Sequence, residues 1–492
     1  MSTQEHVQDH AVLHAEGSRR SFLKSAAVSS ALPAVMTTPR GSITFELGRM
    51  EEFAEPRPAG PNDRIRIATI GMGIIGFIDT KTALKVPGTE LVAVADLYEG
   101  RRVHAREVFG DRVGAHVDYR EILARPDVDA VLICVPDHWH SRISIDAMKA
   151  GKAVYCEKPM VRLIPEGTEV IAAEKETGAI FQVGSQYASS LIYEKVRELI
   201  KAGAIGPINS VEARYNRNSP IGAWQYTIPP DASPRTVDWD RFLGSAPKRP
   251  FDAVRFFRWR NYNDYGTAVA GDLFVHLLTG IHHATGSLGP TRIVGAGGQR
   301  YWKDGRDVYD LIMGLMDYPE TDKHPSFTLA LQCNFEDGGD ELFRFVGSDG
   351  VINVSFTELS LNRTGIVQPS RNDVLKGYNS VTTFANAMQQ ELGESLRLDP
   401  PPARATSEKG WPEKYVVPRG YDERYDHFVN FFTAIREKKP VYENATFGLR
   451  AAAPAHLCND SLRLGKVMSW GPVKLESGKR DRKEGSGKVR YC

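Results

Sequence analysis

Two short segments of the chain hold side chains that can exchange protons. Glu157-Lys158-Pro159 follows an apolar run, and partial burial in a cleft makes a lysine ammonium release its proton more readily. Farther along, Asp272 precedes His276 by four residues. On a helix these two side chains share one face, and the carboxylate can orient the imidazole. The spacing therefore predicts acid–base chemistry by Lys158, Asp272 and His276.

A glycine-rich turn lies between a predicted strand and a predicted helix. The apolar run 65–70 leads directly into a GxGxxG pattern, whose members are Gly71, Gly73, Ile74, Ile75 and Gly76. Such glycines let the backbone turn tightly and approach a pyrophosphate at the N-terminus of the following helix. A structural turn without a ligand is the alternative interpretation.

An acidic residue follows the glycine pattern at the distance that dinucleotide binding requires. Asp96 ends the next predicted strand, about 20 residues after the last glycine. A carboxylate there binds ribose hydroxyls and repels a 2′-phosphate, so we expect NAD. Arg101 and Arg102 lie nearby and leave NADP as an alternative.

Short apolar runs alternate with helical stretches between residues 64 and 185. This alternation predicts a doubly wound domain with a parallel sheet. Ligands bind beyond the carboxyl ends of such strands. The segments at those ends contain Pro136, Asp137, His140 and Glu157. We expect Glu157 to orient its neighbour or contact the cofactor, and His140 to contact cofactor or substrate.

The pattern changes between residues 186 and 472. Apolar positions recur every second residue in 211–215, 309–315 and 327–335, which predicts strands with one buried face. The segment 363–420 fits less well and includes a helical stretch at 380–392. We interpret it as an insertion over a sheet face or a subunit edge.

The order of these motifs resembles the Gfo/Idh/MocA oxidoreductases. The resemblance rests on the strand–GxGxxG–helix unit, Asp96, Val135-Pro136-Asp137-x-x-His140 and Glu157-Lys158-Pro159, and it extends from Arg64 to about Trp470. It implies an α/β plus α+β fold, with an N-terminal Rossmann domain and a C-terminal domain that has a large, open, mostly antiparallel sheet. It also implies that the helix with Asp272 faces Lys158, that His276 is the acid–base catalyst, and that the chain forms a homodimer or homotetramer.

Further residues near the predicted domain junction could bind a sugar. The stretch 255–262 is rich in arginine and aromatic residues, and Arg260 lies within it. Such a stretch is equally typical of an ordinary core segment. Gln186 and Tyr187 follow the last strand of the first domain. A metal site formed by Asp272, His276 and His283 has only weak support from their spacing, and we expect none.

These residues together predict a class of reaction. Hydride transfer from a carbinol leaves a proton that a base must accept. We therefore expect an NAD(P)-dependent oxidoreductase that acts on a sugar, polyol or glycoside. One alternative is a redox-neutral glycosidase or sugar-modifying enzyme with tightly bound, recycled NAD. The other is a non-catalytic, cofactor-bearing sugar-binding protein, which would lack a working Lys158 and His276.

The amino terminus carries an export pattern. Arg19 and Arg20 precede an apolar run from Ser25 to Met36, as in twin-arginine signals. We expect a signal over 1–36, a linker over 37–63, and a periplasmic or extracellular location. Because this route carries folded proteins and free NAD is scarce outside the cytoplasm, we expect tightly bound cofactor, reoxidised by a second substrate or an unidentified redox partner.

Composition excludes several other classes of protein. In 492 residues, 62 basic and 61 acidic side chains give a net charge of +1. The whole protein therefore has no strong positive field to attract nucleic acid, and we do not expect nucleic acid as its main partner. Five cysteines without a CxxC pair predict neither a disulfide framework nor a zinc knuckle. No apolar stretch has the length of a membrane span, and residues 473–492 form a basic tail.

Overall fold

The structure, a computed structural model, describes residues 35–37, 43–47, 60, 64–339, 342–364, 369–397 and 412–471. The twin arginines of the predicted export signal, most of the predicted linker and the basic tail lie outside these ranges. Within them, no helix is both long and apolar enough to cross a bilayer. Two short strands precede the first domain, namely β1 (Val35–Thr37) and β2 (Ile43–Glu46).

Six parallel strands form the sheet of the first domain. They are β3 (Ile65–Ile70), β4 (Thr89–Ala95), β5 (Gly114–His116), β6 (Ala130–Ile133), β7 (Ala153–Glu157) and β8 (Phe181–Gly184). The connecting helices are α1 (Ile74–Ala83), α2 (Glu99–Phe109), α3 (Tyr119–Leu123), α4 (His140–Lys149) and α5 (Ile164–Thr177).

The strand order β5-β4-β3-β6-β7-β8 is that of a doubly wound dinucleotide-binding fold. All four residues of β6 are buried, because helices cover both faces of a parallel sheet. The order reverses between β3 and β6, so a crevice opens at their carboxyl ends. The glycine pattern follows β3 and Pro136 follows β6, which confirms the predicted Rossmann-type sheet.

The second domain contains a large, mostly antiparallel sheet. Its further strands are β9 (Ile208–Arg214), β10 (Arg292–Gly298), β11 (Leu311–Tyr318), β12 (Phe327–Asn334), β13 (Leu342–Gly347), β14 (Gly350–Val354), β15 (Glu358–Arg363), β16 (Glu413–Val416) and β17 (Met468–Ser469). The order is β1-β2-β16-β15-β14-β13-β9-β12-β11-β10-β17. Within the described strands of this larger sheet, only β9 with β12 and β2 with β16 pair in parallel.

Alternation of apolar residues identifies the buried face of this sheet. In β12 every second side chain is buried, as its period of two predicts. The described helices of the second domain are α6 (Leu191–Lys201), α7 (Trp239–Leu243), α8 (Ala253–Phe257), α9 (Val275–Thr285), α10 (Arg371–Lys376), α11 (Asn386–Ser395), α12 (Glu423–Glu437) and α13 (Ala445–Leu464).

The helix predicted over 380–392 is interrupted. A short 3-10 turn over Ser380–Thr383 ends where Phe384 and Ala385 adopt extended backbone, and α11 begins only at Asn386. Neither α10 nor α11 has a buried side chain. The apolar residues of this segment are therefore too few to fix a continuous packed helix.

Helices from the end of the chain complete the core of the first domain. Phe428, Phe431 and Phe432 of α12 are buried in one cluster with Ile67 and Leu132 of the parallel sheet. On the other face, Leu449 of α13 fills the space beside Gly167 of α5, where a Cβ would lie 2.4 Å from its Cδ1. The segment 64–185 thus shares its core with residues that the sequence placed in the second domain.

Candidate functional site

One cavity of about 880 Å³ follows the carboxyl edge of the parallel sheet, within the size range of ligand sites. Its wall includes Asp96 after β4 and Lys158 after β7, which lie on opposite sides of the crevice. The other predicted residues that line it are Gly71, Gly73, Ile74, Ile75, Pro136, Asp137, His140, Glu157, Gln186, Arg260, Asp272 and His276. Folding therefore joins the glycine turn and the acid–base residues in one space.

The three glycines of the turn have three different surroundings. Gly71 has a φ of +94°, and a Cβ there would lie 2.5 Å from the Cys134 carbonyl oxygen. A Cβ on Gly76 would lie 2.0 Å from the Gly71 oxygen, so this glycine lets α1 pack on the turn. At Gly73, which precedes α1, the nearest atoms would be 4.0 Å away. The turn thus leaves open space at a helix N-terminus, where a pyrophosphate fits.

Backbone amides fix the carboxylate of Asp96 beside this turn. Its Oδ2 accepts a hydrogen bond from the Met72 amide at 2.7 Å, and its Oδ1 accepts one from Tyr98 at 2.8 Å. Arg101 approaches to 3.6 Å, whereas Arg102 donates to the Asp96 carbonyl oxygen. A carboxylate held in this position suits a ribose with free hydroxyls.

Lys158 and Arg260 share one oxygen of a buried carboxylate. The Lys158 Nζ and the Arg260 Nε each lie 3.1 Å from the Asp272 Oδ1, and Nζ also donates to the Asp272 carbonyl oxygen at 3.0 Å. Burial alone would raise the pKa of Asp272, but Lys158, Arg260 and Arg217 outweigh it and hold this pKa far below its usual value. Asp272 is therefore ionised and positions the ammonium of Lys158.

Asp272 does not orient His276, contrary to the sequence expectation. Asp272 lies in a π-helical turn over Ala270–Phe274, ahead of α9, and its carboxylate turns toward the two cations. His276 Nδ1 has no hydrogen-bond partner in the described part of the chain. Its ring packs instead against Tyr187, with centroids 5.6 Å apart, and Tyr215, 6.0 Å apart.

The surroundings of His276 favour its neutral form. Burial lowers the pKa of His276 well below 6.5, the Lys158 ammonium lowers it further, and the opposing effect of Asp272 is weaker. The imidazole is therefore unprotonated at neutral pH. An unprotonated ring beside a held ammonium can accept a proton from a ligand hydroxyl.

His140 joins the ends of two strands. Its Nδ1 lies 2.7 Å from the Pro159 oxygen and its Nε2 lies 2.8 Å from the Val135 oxygen. Two carbonyl partners require two donors, so the ring carries both protons. Burial alone would lower the pKa of His140, but Cys156 and Asp137 raise it to about 10. Both ring nitrogens are engaged with backbone, although the sequence led us to expect contacts with cofactor or substrate.

Asp137 and Glu157 have partners of their own. Asp137 accepts a hydrogen bond from the Thr267 hydroxyl at 2.8 Å, and burial raises its pKa. Gln186 donates to the Glu157 carboxylate at 3.3 Å. Arg424 binds Asp79 at 3.0 Å close to Glu157. Local motifs could not reveal Arg424, because it reaches this site from α12.

Other candidate residues lie outside the cavity or mainly in cores. Tyr187 does not line it and stacks on Tyr193, with centroids 5.0 Å apart. In the stretch 255–262, Phe256 and Phe257 are buried in an aromatic cluster. His283 binds Glu194 at 2.8 Å. No group of three potential metal ligands occurs among the described residues.

A segment of the second domain closes the cavity near Asp96. Residues 228–265, which we name the cap, pair with the first domain through backbone and side chains. The contacts are Glu99 N to Thr236 O at 2.8 Å, Asp238 N to Leu97 O at 3.0 Å, Tyr98 hydroxyl to Asp231 at 2.5 Å, and Trp139 Nε1 to Phe242 O at 2.9 Å. Arg241, Phe242 and Phe257 of the cap line the cavity.

Part of the chain is similar in sequence to inositol dehydrogenases. It is 33% identical over 144 residues to the NAD(+)-dependent scyllo-inositol 2-dehydrogenase of Bacillus subtilis, which covers 29% of this chain and 42% of that protein. It is 32% identical over 142 residues to myo-inositol 2-dehydrogenase of Thermotoga maritima, with the same coverage. The matched segment thus spans less than half of these relatives.

Two solved structures have folds that match this chain over nearly their whole length. Levoglucosan dehydrogenase in complex with NADH and levoglucosan has a TM-score of 0.57 at 18% identity, covering 82% of this chain and 99% of that one. Aldose-aldose oxidoreductase from Caulobacter crescentus has a TM-score of 0.56 at 16% identity, covering 83% and 100%. At these identities the likeness establishes the architecture alone.

A sequence profile identifies the first domain more specifically. Residues 65–185 match the oxidoreductase family described as having an NAD-binding Rossmann fold. The same residues contain the parallel sheet, the open glycine turn and Asp96. Residues 65–185 therefore match the NAD-binding Rossmann domain of the Gfo/Idh/MocA oxidoreductase family.

Proposed function

We propose that this protein is an NAD-dependent oxidoreductase that acts on a carbinol of a sugar, polyol or glycoside. The observation that supports the proposal is one cavity whose lining includes both the glycine turn and the Lys158–Asp272–His276 group, so that a dinucleotide and a substrate can meet there. The named activities of the relatives, which act on inositols, are consistent with a polyhydroxylated substrate.

The chain's residues divide the work of such a reaction. Bound NAD supplies the hydride acceptor. The Lys158 ammonium, held by Asp272, donates a hydrogen bond to the carbinol oxygen, and the neutral imidazole of His276 accepts the hydroxyl proton. Because both side chains are largely buried, a closed cavity strengthens these interactions by excluding water.

Turnover by a lysine variant tests this assignment. Purified protein is incubated with NAD and a panel of inositols, aldoses and anhydrosugars. The reduction of the nicotinamide is measured. We expect Lys158→Ala to lower kcat by about 10²-fold or more, as loss of a hydrogen-bond donor to the reacting oxygen does, while Lys149→Ala on the exposed end of α4 has wild-type activity. Full turnover by Lys158→Ala, with its NAD still bound, would remove the assignment and favour a sugar-binding protein.

The cap favours a second candidate, a redox-neutral reaction on a glycoside with retained NAD. The cap lines the cavity beside Asp96 and is hydrogen-bonded to the first domain, an arrangement that favours slow release of a dinucleotide bound there. Retained cofactor suits a cycle in which hydride is removed, the aglycone is eliminated, water adds to the resulting double bond and hydride returns to the ketone. An aryl glycoside added without NAD discriminates: aglycone release with no lasting nicotinamide reduction supports this cycle, and no release opposes it.

We also propose export by the twin-arginine route. The proposal rests on Arg19, Arg20 and the apolar run that follows them, all of which belong to the signal expected over 1–36. The full chain in a bacterial host is expected in the periplasm, and replacing both arginines by lysine should retain it in the cytoplasm. Equal periplasmic amounts of the two forms would refute the proposal.

A further inference from the structure

Cations outnumber carboxylates where Lys158 meets the cavity. Lys158, Arg260 and Arg217 line this region together with Asp272. Asp272 is shared by the first two cations through a single oxygen. The charge of one carboxylate therefore faces three cations, in a partly buried space where charge imbalance is costly.

The other carboxylates near this region make their direct contacts elsewhere. Asp137 lies beside the imidazolium of His140, whose pKa it helps to raise, and it accepts a hydrogen bond from Thr267. Glu157 lies with Asp79 around Arg424. Among the described residues, neither Asp137 nor Glu157 forms a direct ion pair with the three cations, although Asp137 acts on Arg260 at longer range.

Arg217 is the cation of this group that makes no direct ion pair among the described residues, although the charge of Asp272 acts on it at longer range. Its backbone amide is fixed by the Asn334 oxygen at 2.9 Å, directly beyond β9. Its guanidinium lies over the Tyr215 ring at 5.1 Å and makes a long hydrogen bond of 3.4 Å to the Gly222 oxygen. Among the described residues, no carboxylate oxygen lies within 4.0 Å of the Arg217 guanidinium, which is the distance limit for an ion pair. A stacked, half-buried guanidinium keeps its planar donor edge in a fixed orientation.

Aromatic side chains surround the same space. Trp224, Tyr226 and Trp259 line it, and such rings pack against the apolar faces of a sugar. The indole N–H of Trp224 is buried and has no hydrogen-bond partner among the described residues. The region therefore combines sugar-binding surfaces with donors that lack acceptors.

From this arrangement we propose that the substrate is an acidic sugar whose carboxylate binds Arg217. A planar carboxylate matches the guanidinium fork with two hydrogen bonds and restores the charge balance beside Lys158 and Arg260. This inference rests on the proposed oxidoreductase function and specifies its substrate class.

Binding measurements on NAD-loaded protein test the proposal. Calorimetry compares glucuronate with glucose and galacturonate with galactose. We expect the uronates to bind about 10–100-fold more tightly than their neutral counterparts, the range of a charge-assisted hydrogen bond, and salt to reduce this ratio. Arg217→Gln should abolish most of the preference and Arg217→Lys part of it, whereas Arg142→Gln on the exposed face of α4 should keep it.

The possible outcomes separate this inference from the proposed function. Equal affinity for charged and neutral sugars, or an equal loss of both in Arg217→Gln, would overturn it. Tighter binding of glucose 6-phosphate or glucose 6-sulfate than of glucuronate would overturn the choice of a carboxylate. Nicotinamide reduction by neutral sugars alone would overturn the inference and leave the oxidoreductase intact, whereas reduction by none of the sugars would count against the oxidoreductase itself.

Discussion

Lys158 and Arg260 depend on the same carboxylate oxygen, so the centre of the site is held by charge. Asp272 is buried, and only the two cations and Arg217 keep its pKa low. Removing one member of a buried ionic group leaves the others without compensation, which costs more than the group contributes as a whole. The site is therefore sensitive to loss of the carboxylate charge.

We predict that Asp272→Asn destabilises the protein by about 3–5 kcal/mol, because it leaves two buried cations unpaired. Urea unfolding followed by circular dichroism measures this change. Asp460→Asn, which removes an exposed pair with Arg463, should change the free energy of unfolding by less than about 1 kcal/mol. Similar effects of the two variants would contradict the role of Asp272.

A second prediction concerns the pH dependence of turnover. The pKa of His276 is lowered by burial and by Lys158, and the neutral ring is the proton acceptor, so acid inactivates it only below that lowered pKa. We expect kcat/KM to stay level as the pH falls through 6.5, where an ordinary histidine would be half protonated. A loss of kcat/KM centred near pH 6.5 would show that His276 is not the base, or that its ring is not buried beside Lys158 as described.

Residue types with local signals were predictable, and those without were not. The glycine pattern and Asp96 were found because their spacing along the chain encodes their function. Arg217 was missed because it reaches Asp272 only through the pairing of β9 with β12, which no short motif encodes. The π-helical turn was missed as well, since the composition of Ala270–Phe274 does not distinguish it from an α-helix.

At the scale of elements, the turn between β3 and α1 contains one glycine that the fold requires and another that ligand binding requires. Gly71 is needed by the fold, because its φ is positive and a Cβ would collide with the Cys134 oxygen. Gly73 has no such constraint, since the space beside it opens into the cavity. The same turn therefore contains one glycine for the backbone and one for the ligand.

We predict opposite effects for alanine at these two positions. Gly73→Ala should change the free energy of unfolding by less than about 1 kcal/mol and weaken NAD binding at least about tenfold, because its Cβ occupies the space beside the pyrophosphate. Gly71→Ala should destabilise the fold by about 2–4 kcal/mol through strain and collision. Thermal unfolding and NAD titration measure both. Gly178→Ala, at a positive φ with open surroundings, controls for strain alone, and wild-type NAD affinity in Gly73→Ala would contradict the assignment.

Periodicity located most elements but not their ends. The strands predicted at 327–335 and 309–315 correspond to β12 and β11, because alternate burial on one sheet face imposes a period of two. The ends differ by up to three residues, because backbone pairing, and not the alternation of side chains, sets where a strand ends. The insertion over 363–420 was the part of the chain whose elements were predicted least well. Its helices α10 and α11 bury no side chains and so leave no periodic signal in the sequence.

At the scale of the whole molecule, segments that are far apart in sequence pack in one core. Phe428, Phe431 and Phe432 pack on the parallel sheet, and Arg424 binds Asp79 of α1. Domain boundaries are predicted from composition and motifs. The packing of α12 on the sheet of the first domain was therefore not predictable. The NAD-binding domain is therefore stabilised by residues far outside its matched profile.

We predict that Phe431→Ala destabilises the protein by about 3–5 kcal/mol, the cost of a large buried cavity, and weakens NAD binding because the core beneath the glycine turn loosens. Phe384→Ala, at an exposed position, should change the free energy of unfolding by less than about 0.5 kcal/mol. Chemical unfolding and hydrogen exchange of β3 measure the two effects. Unchanged exchange in β3 would contradict the coupling.

The late position of α12 has a consequence for biosynthesis. A ribosome makes the six parallel strands long before it reaches Phe428, so the apolar surface that this helix covers stays bare on the nascent chain. That surface becomes covered only after residue 437 has left the ribosome. We therefore expect stable capture of the dinucleotide to follow the synthesis of α12 and not that of the glycine turn.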